Sequence, residues 1–186
     1  MKKTLIILTC LLSLTTFGKA QNNTGKSFEL GVGLISQQTN KLYWENGIGI
    51  DFAGDFLLDR HLHTKLSYIT SRVGSAMGSN AIKQDYYILG FDWRFRQDKD
   101  FQIFAGLNTG YFMADYGADI FNELPSSSVI LAPEAGLVYK FKIPLTLELS
   151  AGYNIINGDG FNVPGTLFPV YYKLSVLYNL EKVFGK

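Results

Sequence analysis

The sequence predicts an all-β fold, an eight-stranded antiparallel up-and-down barrel that crosses a membrane. Three observations support this prediction. Apolar and polar residues alternate with a period of two in eight segments, whereas no convincing 3.6-residue apolar period appears. The more apolar face of every segment lacks charged residues. Aromatic residues gather towards both ends of the segments, as they do at the two interfaces of a membrane barrel.

The predicted strands cover 10 to 14 residues each, and most match the length that a tilted strand needs to cross a bilayer. Each is an alternating run bounded by turn-forming residues. In chain order they are 27–36, 47–57, 62–71, 86–96, 101–114, 129–141, 145–156 and 170–181.

The connections between these strands alternate strictly between short and long. Three tight turns lie at 59–61, 97–100 and 142–144, whereas the longer loops lie near 37–46, 72–85, 115–128 and 157–169. Bacterial outer-membrane barrels have this arrangement, with the short turns in the periplasm and the loops outside the cell. The long loops, rich in turn formers, are where we expect any extracellular partner to bind.

The first 20 residues have the pattern of a secretory signal peptide. Lys2 and Lys3 form a basic start, 4–17 form an apolar stretch, and 18–20 supply a small-x-small cleavage site. The mature domain is then 21–186, with 14 basic and 16 acidic residues and without the single cysteine, Cys10. We therefore expect no disulfide, thiolate metal site or cysteine nucleophile, and no stretch is long enough for a transmembrane helix.

Composition limits the function classes further. The whole chain of 186 residues has a net charge of +1, so it lacks the broad positive field that draws proteins to nucleic acid. Its 19 glycines, 14 phenylalanines and 11 tyrosines suit a turn-rich β chain. We expect one domain, no nucleic-acid partner and no cofactor.

The two faces of the strands indicate two different surroundings. The uncharged face should contact membrane lipid, because a lysine or arginine facing lipid at mid-membrane costs about 2–4 kcal/mol. The opposite face carries charges alternating with glycines, and the inside of an eight-stranded barrel has room for side chains but not for a wide channel. We predict a lumen plugged by ion pairs among Glu29, Asp51, Asp55, Lys65, Asp92, Arg94, Glu134, Glu148 and Lys173.

Some residues depart from this simple pattern. Seven apolar residues fall on the inward face and should pack together or lie outside the membrane zone; they are Ile35, Ile88, Phe104, Phe112, Val138, Ile156 and Leu177. Pro133 removes a hydrogen-bond donor within the sixth strand. Since a closed barrel has no edge to accommodate this loss, we predict a bulge or a bend at Pro133.

The segments FQIFAGLNTGYF, APEAGLVYKF, LTLELSAGYN and VYYKLSVLYNLEKVF resemble the small outer-membrane β-barrel-domain family of Gram-negative bacteria. That family is similar to the OmpA-type and OmpX-type barrels, and many members carry a porin-like description or have no known function. The resemblance implies an outer-membrane location. It also implies insertion by the barrel-assembly machinery, which reads an aromatic residue at the end of the last strand; here Phe184 is followed by Gly185 and Lys186.

Chemical motifs are sparse. His61 and His63 have a spacing that could hold Zn²⁺ or Cu²⁺ with carboxylates, but we favour a hydrated periplasmic turn. Glu134 and Glu148 could form an acid–base pair, but ion pairs with Lys173 or Arg94 are the favoured interpretation. A lipid A deacylase of this fold places His, Ser and an acid on the lipid-facing surface. Here both histidines map to the periplasmic end, and the nearest serine, Ser67, faces inward. We therefore predict no catalytic, cofactor or metal site.

The leading hypothesis is a monomeric outer-membrane barrel, surrounded by lipid, with a structural or surface-interaction role. A small porin or conduit for ions or small solutes is the alternative. Less favoured are a lipid-modifying barrel enzyme and a soluble lipocalin-like carrier, which would turn the apolar face inward.

Overall fold

A computed structural model describes residues 28–38, 44–55, 62–75, 82–117, 125–156 and 169–181. Among these residues, no helix is both long and apolar enough to span a membrane. The described chain is almost entirely β-strand. The predicted signal peptide, His61 and Phe184 lie outside the described residues.

The described residues form eight strands, as predicted. The seventh strand is interrupted at Asn154, so both of its segments carry one label here. The strands are β1 Phe28–Gln38, β2 Trp44–Gly54, β3 Leu62–Ser75, β4 Ile82–Phe95, β5 Phe101–Tyr116, β6 Ser127–Lys140, β7 Leu145–Tyr153 with Ile155–Ile156, and β8 Val170–Asn179. The largest differences from the prediction are at the long-loop ends, where β3 and β4 extend four residues further because their pairing continues beyond the alternating run.

Every strand pairs antiparallel with the next one, and β8 pairs with β1, which closes the sheet into a barrel. The register on both sides of Pro133 places it opposite Tyr153 of β7. With that step, following opposite residues once around the barrel from Phe28 leads back to β1 at Gln38, ten residues further along. A stagger of this kind requires strands tilted by about 35–45° to the barrel axis. Each of the described strands therefore pairs with a neighbour on both sides.

The alternation in the sequence becomes an alternation of burial in the barrel. Outward-facing side chains are exposed, including Val32 at 65% and Ile50 at 56%, whereas inward-facing Asp51 and Ile130 are fully buried. The apolar face therefore points out and the charged face points in. A soluble lipocalin-like carrier would have the reverse arrangement, so that alternative is wrong.

Pairing around Pro133 differs from the prediction. Glu134 pairs with Gly152 and Leu131 pairs with Ile155, but the two intervening positions of β6 have no partner on β7. The register is the same on both sides of this gap, so no residue is inserted and there is no bulge at Pro133. The alternative, a bend at Pro133, stays a prediction. A register shift occurs instead between β2 and β3, around Gly47.

The gap has a simple physical cause. Phe141 donates its backbone N–H across to Leu145 of β7, at 3.0 Å, and alternate residues of a strand direct their N–H groups to the same neighbour. The nitrogen of Pro133 therefore faces β7 but has no hydrogen to donate. Asn154, opposite the gap, keeps its backbone N–H bonded to Pro169 on the other side, at 2.6 Å.

Candidate functional site: the barrel lumen

Glycines make room for the large side chains that cross the lumen. A Cβ added to Gly106 would collide with the Asp92 carboxylate and lie 2.8 Å from the Phe91 carbonyl oxygen. A Cβ added to Gly33 would lie 2.9 Å from Cε of Lys173. Because the glycines alternate with charged residues on the same face, the charged side chains can extend across the barrel.

A central ion cluster lies near the middle of the lumen and consists of Lys65, Asp92, Arg94, Glu134 and Glu148. The Lys65 ammonium lies 2.5 Å from Glu148 Oε1, 3.1 Å from Asp92 Oδ2 and 3.2 Å from Glu134 Oε1. Arg94 Nη2 lies 3.4 Å from Glu148 Oε2. All five residues are buried, and they come from β3, β4, β6 and β7, so the cluster connects opposite sides of the barrel.

A second ion pair joins β8 to β2. Lys173 Nζ donates to Asp51 Oδ1 at 2.5 Å. Ser67 Oγ donates to the same oxygen at 2.5 Å, and Ser175 Oγ donates to Asp51 Oδ2 at 2.8 Å. The Asp51 carboxylate thus has three donors, which offsets the cost of burying its charge.

The structure places His63 inside the lumen, so the prediction of a hydrated turn is wrong for this residue. Its side chain is fully buried, with Nδ1 2.9 Å from Asp55 Oδ1 and Nε2 3.6 Å from Glu29 Oε2. Thr146 Oγ1 donates to Glu29 Oε1 at 3.1 Å. Extending the inward alternation of Lys65 back by two residues would have found this position.

The predicted partners are only partly those observed. Glu148 does pair with Arg94, but the cation beside Glu134 is Lys65 rather than Lys173 or Arg94. Two further contacts of Glu134 were missed. Its Oε2 accepts hydrogen bonds from Asn108 Nδ2 at 2.8 Å and from the Tyr171 hydroxyl at 2.6 Å.

An apolar layer fills the lumen between the central ion cluster and the long-loop ends. Its members are Ile35, Ile69, Tyr86, Ile88, Phe112, Ile130, Ala132 and Tyr171. Of the expected apolar exceptions, Ile35, Ile88 and Phe112 pack in this layer. Phe104, Val138 and Leu177 are buried nearer the short turns. The Lys65 ammonium lies 5.4 Å from the centre of the Phe104 ring, a cation–π distance. The side chain of Ile156 lies outside the described residues.

Between the apolar layer and the ion cluster, a cavity of about 30 Å³ is lined by Lys65, Asn108, Glu134 and Tyr171, among others. A single water needs about 10–15 Å³ on this measure, so the cavity holds no more than a few waters. Among the described residues, buried acidic side chains outnumber buried lysine and arginine side chains: Glu29, Glu45, Asp51, Asp92, Glu134 and Glu148 against Lys65, Arg94 and Lys173. Any solute crossing this lumen would therefore meet more acidic than basic side chains.

Three carboxylates of the cluster, Asp92, Glu134 and Glu148, place oxygen atoms within 4.8 Å of one another. The Lys65 ammonium lies within 3.2 Å of each residue and occupies the place that a cation would take. Ser67 and His63 face the lumen rather than the lipid. Among the described residues, they therefore do not form the lipid-facing arrangement of a barrel deacylase.

The sequence matches no protein-family profile, and no curated protein is similar to it in sequence. Solved structures are similar in fold. Neisserial surface protein A has a TM-score of 0.55 and 14% identity, over 86% of this chain and 98% of that one. The fold is that of an outer-membrane β-barrel.

Two further solved barrels are similar to this chain in fold. The outer membrane protein OprG of Pseudomonas aeruginosa has a TM-score of 0.53 and 16% identity, over 84% of this chain and 96% of that chain. Ail, the attachment invasion locus protein of Yersinia pestis, has a TM-score of 0.50 and 17% identity, over 83% of this chain and 97% of that one. At these identities the similarity establishes the fold, and the described barrel accounts for nearly all of each neighbour.

Proposed function

We propose that the mature domain 21–186 is a monomeric outer-membrane barrel whose lumen is closed by its own side chains and whose role is structural or surface-interacting. The observation that carries the proposal is the central ion cluster. It joins four strands across the lumen, with an apolar layer above it and room for no more than a few waters between. Among the described strand residues the outward face is uncharged except near the long-loop ends, where Lys83, Asp85 and Asp115 lie, and this supports a lipid surrounding.

The proposal includes export by the signal peptide 1–20 and insertion by the barrel-assembly machinery acting on the last strand. It also includes membership of the OmpA/OmpX-like family, for which the strand sequences and the shared fold are the support. A surface role is supported by the long-loop ends, which would face the exterior. Two similar barrels carry the words "surface" and "attachment" in their names. Any extracellular partner would bind through the loops.

Cysteine labelling in intact cells tests the orientation, because the mature domain has no cysteine of its own. Ser127 begins β6 beside a long loop, and Gln97 lies in the short turn between β4 and β5. A membrane-impermeant maleimide should label Ser127→Cys in intact cells and Gln97→Cys only after lysis. Labelling of Gln97→Cys in intact cells would show that the barrel has the opposite orientation.

A conduit for small cations is the second candidate, and the excess of buried carboxylates favours it. Planar-bilayer recordings separate the two functions. The closed barrel should give no steady conductance, whereas a conduit should give a steady, cation-selective current. We do not propose an enzyme, since Ser67 donates to Asp51 and His63 contacts Asp55 inside the lumen.

A further inference from the structure

A second group of polar side chains lies near the short-turn end of the lumen, apart from the central ion cluster. It consists of His63 of β3, Glu29 of β1 and Asp55, which directly follows β2. His63 and Glu29 are 0% and 2% exposed. The expectation of no metal site assumed a hydrated turn at His63, whereas the structure places this ring in the lumen between two carboxylates.

Asp55 fixes which nitrogen of the His63 ring carries a proton. Nδ1 of His63 lies 2.9 Å from Asp55 Oδ1, and an ionised carboxylate can only accept a hydrogen bond. Nδ1 is therefore the donor, and in a neutral imidazole Nε2 then keeps its lone pair. Histidines that bind metal in proteins are commonly held by a carboxylate in this way.

Two atoms with lone pairs then face each other. His63 Nε2 lies 3.6 Å from Glu29 Oε2, beyond the roughly 2.7–3.2 Å of an N–H···O hydrogen bond. Both atoms are buried, and within the described part of the chain neither has a hydrogen-bond partner. Buried acceptors without a donor are costly, so this pair calls for a cation. A shared proton would draw the two atoms to hydrogen-bond distance, and the longer separation favours a larger cation.

The separation of these two atoms fits a shared metal ion. Zn²⁺ binds histidine nitrogen at about 2.0–2.1 Å and carboxylate oxygen at about 2.0–2.2 Å with tetrahedral angles, which places two ligand atoms about 3.4 Å apart. The distance of 3.6 Å between His63 and Glu29 is close to that value. Imidazole favours Zn²⁺ and similar transition metals, whereas Mg²⁺ and Ca²⁺ prefer oxygen ligands. The ring therefore selects the class of metal.

The surrounding charges are compatible with a divalent cation. Arg94 interacts electrostatically with His63, but its guanidinium lies 3.4 Å from Glu148, whose carboxylate balances it. Among the described residues, Glu29 forms no ion pair with a lysine or an arginine, and its charged-group contact is the His63 ring. A divalent ion would balance the Glu29 carboxylate, with the second carboxylate, Asp55, behind the ring.

We propose that His63 Nε2 and Glu29 Oε2 bind one divalent transition metal ion of the Zn²⁺ type, with Asp55 orienting the ring. The site joins β1 to β3 at the short-turn end of the lumen. Water completes the coordination, since a tetrahedral ion takes four ligands. The ion enters from the short-turn end, where the Asp55 side chain is 13% exposed. The site does not depend on the orientation of the barrel in the membrane, so it can fail without the proposed function failing.

Zinc binding to the full barrel tests the site. The protein is purified in detergent without a histidine tag, stripped with EDTA, and dialysed against Zn²⁺ in excess Mg²⁺ before elemental analysis. We expect one Zn²⁺ per wild-type barrel. Asp55→Asn should lower the affinity by about 10–100-fold, the usual effect of removing a carboxylate that orients a metal-binding histidine. His63→Gln and Glu29→Gln each remove a ligand and should lower the affinity at least as much.

The chain supplies a matched control for each ligand. Glu45→Gln removes a carboxylate that is equally buried but lies at the long-loop end of β2, and His61→Gln removes the other histidine. Both variants should bind Zn²⁺ as the wild type does. Heat-modifiable gel mobility shows which variants are folded. Glu29→Gln keeps the size of the side chain, so the test does not depend on the folding of His63→Gln.

A folded wild-type barrel that binds no Zn²⁺ would overturn the proposal, and His63 would then carry a second proton instead. Equal affinity in Glu29→Gln and the wild type would also overturn it. So would a loss in Glu45→Gln as large as that in Glu29→Gln, or a loss in His61→Gln that His63→Gln does not show. Zn²⁺ should also raise the urea concentration at which the wild type unfolds, and it should not do so for Glu29→Gln.

Discussion

Replacing Lys65 by methionine should destabilise the barrel strongly, because Lys65 is the cation shared by three buried carboxylates. The change keeps a long unbranched side chain but removes the ammonium that lies 2.5–3.2 Å from Glu148, Asp92 and Glu134. Arg94 would remain as a close partner for Glu148, at 3.4 Å. Removing one partner from a buried ion pair costs about 3–5 kcal/mol. We expect a loss of that size in the free energy of unfolding.

Urea unfolding of the barrel in lipid vesicles, followed by gel mobility, measures this loss. Lys83→Met is the matched control. Its ammonium lies 3.6 Å from Asp115, and the two side chains are 37% and 75% exposed, so the pair should contribute less than about 1 kcal/mol. The double variant Lys65→Met/Glu134→Gln should lose less than the two single changes added together, because it removes one of the carboxylates that repel each other.

If Lys65→Met lost no more stability than Lys83→Met, the ion cluster would not hold the lumen together. Additive losses in the double variant would contradict the idea that Lys65 and Glu134 interact directly.

Three further changes test other parts of the structure by the same unfolding measurement. Gly106→Ala should lower the free energy of unfolding by about 1–3 kcal/mol, because the added Cβ meets the Asp92 carboxylate and the Phe91 carbonyl oxygen. The lipid-facing change Ala105→Leu should lower it much less. Equal losses would contradict this packing. Arg96→Gly should stabilise the barrel by about 1 kcal/mol, since Arg96 has a left-handed φ of 57°, and a loss of stability would refute this. Gln102→Leu should lower the free energy of unfolding by about 1–3 kcal/mol and speed tryptic cleavage at Lys99. The reason is that the buried Gln102 amide donates to the Gln97 and Lys99 carbonyl oxygens at 3.0 Å each. An unchanged cleavage rate would contradict a role of Gln102 in holding the turn.

The strands and their two faces could be predicted because each residue's surroundings alternate along a strand of a closed barrel. Val32 and Leu34 contact one environment, and Gly31 and Gly33 the other, so a period of two carries the information. The ends of the strands carry less of this information, because their two faces differ less. Beyond the membrane both faces meet water, and the alternation that marks β4 fades before its pairing stops at Ile82.

Contacts across the lumen could not be predicted in the same way. Which residues meet depends on the stagger of ten residues around the barrel, and alternation does not encode it. Lys65 and Glu148 are 83 positions apart, and nothing local indicates that they face each other. The apolar layer was only partly predicted, because Tyr86 and Tyr171 were not among the predicted inward-facing apolar residues, although their rings lie inside the lumen.

The most direct test of the account is the environment of its uncharged outward face. Single cysteines at Leu174 and Val176, spin-labelled in lipid bilayers, would report collisions with oxygen, which dissolves in hydrocarbon, and with a water-soluble nickel complex. Both side chains are about two-fifths exposed on the outside of β8. The account predicts frequent collisions with oxygen and rare ones with nickel at both sites. Frequent nickel collisions would mean that water bathes this face, which would contradict a membrane-spanning barrel.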